Sequence, residues 1–252
     1  MDRIYRIRGG RYAVERNGKL SWMLGDVFGS YDVGEAVPED QARAWMVPVD
    51  PSIVVCIGLN YKDHAAEMNK KLPEEPLIFM KPSSSVIGPE DEIRLPEWAG
   101  RIEHEAEMAL VIKRRAFRVK AGHAMDYVLG LTCLNDVTAR ELQAKDGQYA
   151  RAKGFDTFAP IGPGIAVGLD PSALAVEGHV NNELRHKSNT RELIFPVPYL
   201  VEYVTRFMTL NPGDVITTGT PSGVGPLRPG DRVTVSVEGV GTLGNPCVQL
   251  TA

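Results

Sequence analysis

Residues 102–112 read I-E-H-E-A-E-M-A-L-V-I, and the fold turns on how this stretch is read. In extended backbone, alternate residues share a face. Glu103, Glu105, Glu107, Ala109 and Val111 then line one side of a strand. Three glutamates in a row on one face repel each other, and strands disfavour glutamate. A solvated strand end is the plain explanation for an E-x-E pattern. Against it, the same face turns apolar at once, so the acids border a buried region, where a bound cation would relieve the repulsion. Residues 129–137, L-G-L-T-C-L-N-D-V, add an apolar strand that closes on Asp136. An acid at the end of a buried strand needs a partner. A group of carboxylate oxygens suits a hard cation, Mg²⁺ or Mn²⁺, with Ca²⁺ a further option.

Outward from these two strands, the chain is rich in β signals. Residues 53–57, 77–80, 214–218, 232–238 and 246–250 read as strands, the second trapped between Pro76 and Pro82. The N-terminal stretch reads as a meander over 3–8, 11–16 and 20–24. Gly9-Gly10 and Asn17-Gly18 supply its two-residue turns. Polar, proline-bearing sequence follows it, and a boundary is placed near residue 48. Residues 1–48 then form a small β-meander domain and residues 49–252 the larger unit. Helices are expected over 62–71, 121–127, 138–145 and 199–210. Many strands with few, scattered helices predict an α+β, β-rich fold rather than alternating βαβ units.

The 252 residues are 43% hydrophobic and 24% charged, ordinary values for a folded globular protein. The formal charge of −4 argues against a nucleic-acid backbone as partner. Cys56, Cys133 and Cys247 are scattered and odd in number, which disfavours a disulfide framework or a thiolate zinc site. The N-terminal M-D-R-I-Y-R-I-R-G-G has no apolar core of a signal segment, and no apolar run is long enough to span a membrane. A cytoplasmic enzyme or binding protein is the expectation.

Three further stretches carry chemistry. After the strand at 53–57 comes G-L-N-Y-K-D-H-A-A-E. A helix starting near Asn60 or Tyr61 puts His64 and Glu67 three residues apart on one face. A carboxylate beside an imidazole fixes its tautomer and raises its basicity, as a general base requires. An incidental surface pair is the simpler alternative for this pair taken alone. Residues 138–163 are dense in polar groups, and helical spacing brings Asp136, Arg140 and Gln143 roughly into line. Lys153, within A-K-G-F-D-T, is either a solvated loop charge or a cation for an anionic substrate or enolate. The segment G-T-P-S-G-V-G at 219–225 could offer backbone N–H groups to a ligand carboxylate. Lys70, Lys71 and Lys81 are read as solvated charges, because lysines are mostly exposed.

In this order, G-L-N-Y-K-D-H-A-A-E (58–67), E-H-E-A-E-M-A-L-V-I (103–112), N-D-V-T-A-R-E-L-Q (135–143), K-G-F-D-T-F-A-P-I-G-P (153–163) and L-N-P-G-D-V-I-T-T-G-T-P-S-G-V-G (210–225) resemble the fumarylacetoacetate hydrolase family over about residues 50–252. The resemblance implies a mixed β-roll, usually homodimeric, with one divalent cation per subunit. It implies Glu105, Glu107 and Asp136 as metal ligands, with Glu103 outside the set. His64 and Glu67 match the family's catalytic dyad on a mobile segment, and Lys153 its site lysine. Arg140, Gln143 and Thr220 match positions near the metal or substrate. Within the family, N-N-E-L-R (181–185), E-L-I-F-P-V-P-Y-L (192–200) and F-M-T-L-N-P-G-D (207–214) are most similar to the enzymes of homoprotocatechuate catabolism that decarboxylate or isomerise unsaturated 2-oxo (2-hydroxydienoic) dicarboxylates. Hydrolysis of an acylpyruvate or fumarylpyruvate and decarboxylation of oxaloacetate are the alternatives. A metal- or small-molecule-binding protein without turnover is the reading from another class.

Overall fold

A computed structural model of the chain describes residues 1–250. One large sheet runs in the order Tyr31–Ala36, Lys19–Gly25, Arg11–Arg16, Asp2–Ile7, Ala159–Val167, Val128–Asn135, Ala106–Ile112, Val215–Thr217, Val54–Gly58 and Leu77–Lys81. Neighbours along this path are antiparallel, except that Val215–Thr217 runs parallel to Val54–Gly58. A second sheet orders Glu183–Asn189, Ala175–Val180, Arg232–Val237, Gly241–Gln249 and Ile93–Leu95. A third, small one joins Thr138–Ala139, Ile102–His104 and Gly225–Pro226. The fold is α+β and β-rich, as expected.

The strand Ala106–Ile112 is buried throughout. Met108, Leu110 and Ile112 enter one apolar cluster with Leu131, Val201, Val235 and Leu243. Ala109 and Val111 enter the opposite cluster with Val54, Leu129 and Ile161. A strand covered on both faces reads as a continuous apolar run, which is why residues 108–112 do not alternate. The acids at 103–107 therefore have no open solvent face.

The expected single strand over 102–112 is interrupted. It breaks at Glu105 into Ile102–His104 and Ala106–Ile112, which belong to different sheets. The N-terminal meander forms as expected, with Gly9, Gly10, Asn17 and Gly18 all at positive φ in its turns. It holds a cluster of its own around Ile7, Ala13, Trp22 and Val37. Asp2–Ile7 also pairs with Ala159–Val167, so the proposed small unit is joined to the rest by a continuous sheet. The helix expected over 62–71 is shorter, Lys62–Glu67, and ends at Met68 before the positive-φ Asn69. Residues Ala121–Tyr127 wind as a 3₁₀ segment.

The parallel pair Val54–Gly58 and Val215–Thr217 is the frame for the site, because the chain leaving each strand reaches it. Asp214, 1% exposed, fastens the two starting ends. Its carboxylate accepts from Ser52 N (2.9 Å), Ser52 Oγ (2.7 Å), Ile53 N (3.2 Å) and Asn211 N (2.7 Å). Removing it leaves four part-buried hydrogen bonds without their acceptor. Asp214→Ala should lower stability by about 2–3 kcal/mol in urea unfolding; a loss below roughly 0.5 kcal/mol, the scale of ordinary surface changes, would contradict this role.

Candidate metal centre and active site

The break at Glu105 brings the acids together. Glu105 N donates to Asn135 Oδ1 at 3.0 Å, and Asp136 N donates to Glu105 O at 2.9 Å. Each strand end thus holds the other. Oxygens of Glu105, Glu107 and Asp136 come within 4.8 Å of one another, and all three residues are buried. Glu103 stays outside the group, paired with Arg101 (2.8 Å) and Arg140 (2.6 Å).

The three acids are unequally compensated. Asp136 receives Lys81 Nζ at 2.5 Å and Lys153 Nζ at 2.7 Å. Glu105 receives Lys153 Nζ at 2.8 Å and Arg140 Nη2 at 2.6 Å. Burial pushes the Glu105 carboxyl up, but Lys153 and Arg140 outweigh it and hold the group well below the carboxylate range. Burial likewise lowers the Lys153 ammonium, and Asp136 and Glu105 more than restore it. Among the described residues Glu107 pairs with no cation: the neutral Gly219 N–H donates to it at 3.0 Å, and the Thr217 hydroxyl lies beside it. Burial, and then repulsion from Asp136 and Glu105, push its carboxyl well up. An uncompensated acid facing two others fits a hard cation held by oxygen donors, Mg²⁺, Mn²⁺ or Ca²⁺.

The other expected site residues converge on the same place. His64, Glu105, Glu107, Arg140, Gln143, Lys153 and Thr220 line one cavity. His64 Nδ1 meets Glu67 Oε2 at 2.8 Å, so the carboxylate holds the Nδ1 hydrogen and leaves Nε2 as the basic nitrogen. Glu67 stands behind His64, and Gly223 N donates to its Oε1 at 3.1 Å. Arg140 Nη1 donates to Gln143 Oε1 at 2.6 Å. Thr220 Oγ1 donates to Ala106 O at 3.1 Å.

Three sequence readings are corrected. Lys81 is not solvated: it is 1% exposed and bound to Asp136 and to Val137 O. The signal was present, since Lys81 closes an apolar strand just as Asp136 does. Asp136 is not in line with Arg140 and Gln143 on a helix, because the helix begins at Arg140 and Asp136 reaches Arg140 only through Glu105. The N–H groups of Gly219 and Gly223 serve the protein's own Glu107 and Glu67 rather than standing open for a ligand.

Away from this cavity, a buried histidine pair backs the acidic strand. His104 Nδ1 and His186 Nε2 are 3.0 Å apart, and His186 Nδ1 lies 2.8 Å from Ser222 O. Burial lowers both rings, His104 to about 3. The cysteines are free and buried.

Residues 53–248 match the model of the fumarylacetoacetate (FAA) hydrolase C-terminal domain. The chain belongs to this family, whose members are enzymes. The crystal structure of 2-hydroxyhepta-2,4-diene-1,7-dioate isomerase from Mycobacterium marinum superposes with a TM-score of 0.92 at 38% identity, covering 100% of both chains. That of 5-carboxymethyl-2-hydroxymuconate delta-isomerase from Mycobacterium smegmatis gives 0.89 at 42% identity, covering 98% of this chain and 100% of the other. Oxaloacetate tautomerase fahd2, mitochondrial, from Xenopus laevis is 42% identical over 211 residues, which are 79% of this chain and 66% of that protein. Among the described residues no helix is long and apolar enough to cross a membrane.

The raised Glu107 carboxyl sets a pH dependence. Its proton is retained above the usual carboxylate range, and a cation must displace it. Affinity for Mg²⁺ or Mn²⁺ should therefore rise with pH until Glu107 ionises unaided. Calorimetry over a pH series, in buffers of different ionisation heat, should show proton release on ion binding that fades as pH rises; affinity and proton release independent of pH would contradict this assignment.

Proposed function

We propose that this chain is a Mg²⁺-dependent decarboxylase/isomerase of unsaturated 2-oxo (2-hydroxydienoic) dicarboxylates, working through an enolate. The carrying observation is the convergence, in one cavity, of a buried acidic triad, the Lys153 ammonium and a His–Glu pair. A divalent ion on the triad would supply Lewis-acid stabilisation of enolate charge. Lys81, Lys153 and Arg140 already oppose the buried acids. A divalent ion would tip this balance positive, which suits an anionic substrate.

The chain's own groups then divide the work. In decarboxylation, the bond from the departing carboxylate to carbon breaks, its electron pair enters the enolate, and CO₂ leaves. A protonated His64 returns a proton to carbon. In isomerisation, His64 Nε2 removes a proton from one carbon and delivers it to another, with Glu67 holding Nδ1 throughout. Lys153 stabilises negative charge on the substrate. Lys70 lines the same cavity and makes no ion pair among the described residues, so it is available to a second carboxylate. A homodimer is the assembly we expect alongside this function, on the family resemblance, and the cytoplasm is the compartment expected from the sequence.

Oxaloacetate tautomerisation is the second reading, favoured by the relative from Xenopus laevis; it needs the same enolate and the same proton transfer. An NMR time course with Mg²⁺ and either 5-oxopent-3-ene-1,2,5-tricarboxylate or oxaloacetate separates the two. We expect chelator-sensitive loss of CO₂ from the first, abolished in Glu105→Gln. In His64→Ala, metal affinity should persist while turnover falls by about 10²-fold or more. No turnover of the tricarboxylate, with faster keto–enol exchange of oxaloacetate, would move the assignment to the second reading. Lys70→Met should raise KM for a dicarboxylate roughly tenfold, as loss of one charge-assisted hydrogen bond would, and leave a substrate with a neutral distal end unaffected.

A further inference from the structure

The His104–His186 pair lies on the far side of the acidic strand from the cavity, and the chemistry above does not use it. Both rings are buried, at 1% and 0% exposure. Ser222 O lies 2.8 Å and Pro221 O 3.2 Å from His186 Nδ1. A carbonyl only accepts, so His186 Nδ1 carries the hydrogen. Its Nε2 is then the acceptor for His104 Nδ1–H at 3.0 Å. One tautomer of each ring follows, and the chain of hydrogen bonds has a direction: from the acidic strand, through both rings, to the 221–222 turn.

That turn is next to Gly223, whose N–H holds Glu67 Oε1. The backbone is pressed against the strand that carries His186. Gly223 stands at φ +106°, and a Cβ there would collide with the carbonyl oxygen of Arg185. Opposite, a Cβ on Gly178 would lie 2.6 Å from His186 Cδ2, so that glycine makes room for the ring. The same strand, Glu183–Asn189, reaches the dyad helix a second time: Ser188 Oγ donates to Asp63 Oδ2 at 2.5 Å, beside His64.

We propose that His186 is a positioning residue for the His64–Glu67 pair: its Nδ1–H fixes the 221–223 turn so that Gly223 N–H holds Glu67, and His104 sets the tautomer that makes this possible. The inference rests on the enolate reading only for its effect on turnover. The latch itself is a property of the fold and has its own readout.

Hydrogen exchange by mass spectrometry on the full-length protein measures that latch. In His186→Leu, the peptide covering 62–68 should exchange roughly tenfold faster, the factor that loss of one ordinary hydrogen bond represents. Exchange in 106–112 should be unchanged. His186→Asn keeps an N–H where Nδ1 stood and should restore near-native exchange. Gly223→Ala, whose Cβ would push the turn off the backbone of Arg185 and His186, should also accelerate exchange at 62–68. For turnover, His186→Leu should cost roughly tenfold in kcat with KM and metal affinity kept, and His186→Asn should recover most of it. In a Glu67→Ala background, His186→Leu should cost nothing further, because the two act through one contact. Unchanged exchange at 62–68, acceleration that extends to 106–112, or a loss that adds in full to Glu67→Ala would each overturn the proposal. If Glu67→Ala and His64→Ala keep full turnover, the dyad reading fails, and the exchange comparison still decides the latch.

Discussion

Three carboxylates held together inside a sheet are the constraint around which the rest of this molecule is arranged. Burying like charges side by side costs several kcal/mol per ion unless each is paired. The chain meets this by bringing Lys81 and Lys153 to Asp136, and Lys153 and Arg140 to Glu105. These bases come from separate places: the end of the Leu77–Lys81 strand, the short Ala150–Lys153 helix and the start of the Arg140–Asp146 helix. From the long polar stretch at 138–163, Arg140 and Lys153 thus supply counter-charge to the acidic strand. Among the described residues Glu107 alone of the three lacks a cationic partner, an imbalance that a bound cation would relieve.

The frame that delivers these groups is a sheet covered on both faces. The parallel pairing of Val54–Gly58 with Val215–Thr217 sends two loops to the same end of the sheet. One carries His64 and Glu67. The other supplies Gly219 N–H to Glu107 and Gly223 N–H to Glu67. A single loop therefore touches both the acidic triad and the His–Glu pair, so that the position of one is linked to that of the other. His186 and Ser188 hold the two loops from behind, through the second sheet.

Much of the site was legible in the sequence because its logic is local. Glu105 and Glu107 are two residues apart in extended backbone, Asp136 follows the end of a strand, and His64 and Glu67 are three apart on a helix. Those spacings carry their chemistry openly. What was not legible depended on long-range partners. Lys81 looked like any lysine until the sheet placed it 2.5 Å from Asp136, fifty-five residues away. The glycines at 219 and 223 were readable as open backbone donors, but not as donors to acids 112 and 156 residues distant. The break at Glu105 was hidden for a similar reason: the alternation of 102–107 suits a continuous strand, and only the pairing of Ile102–His104 in another sheet interrupts it.

The claim that most of this account depends on is that Glu105, Glu107 and Asp136 hold a divalent cation. Anomalous diffraction from crystals grown with Mn²⁺ tests it most directly. The account predicts one strong peak among the three carboxylates, lost in Glu107→Gln. A protein that crystallises with Mn²⁺ yet shows no peak there, with Lys153 still bonded to Glu105 and Asp136, would contradict it.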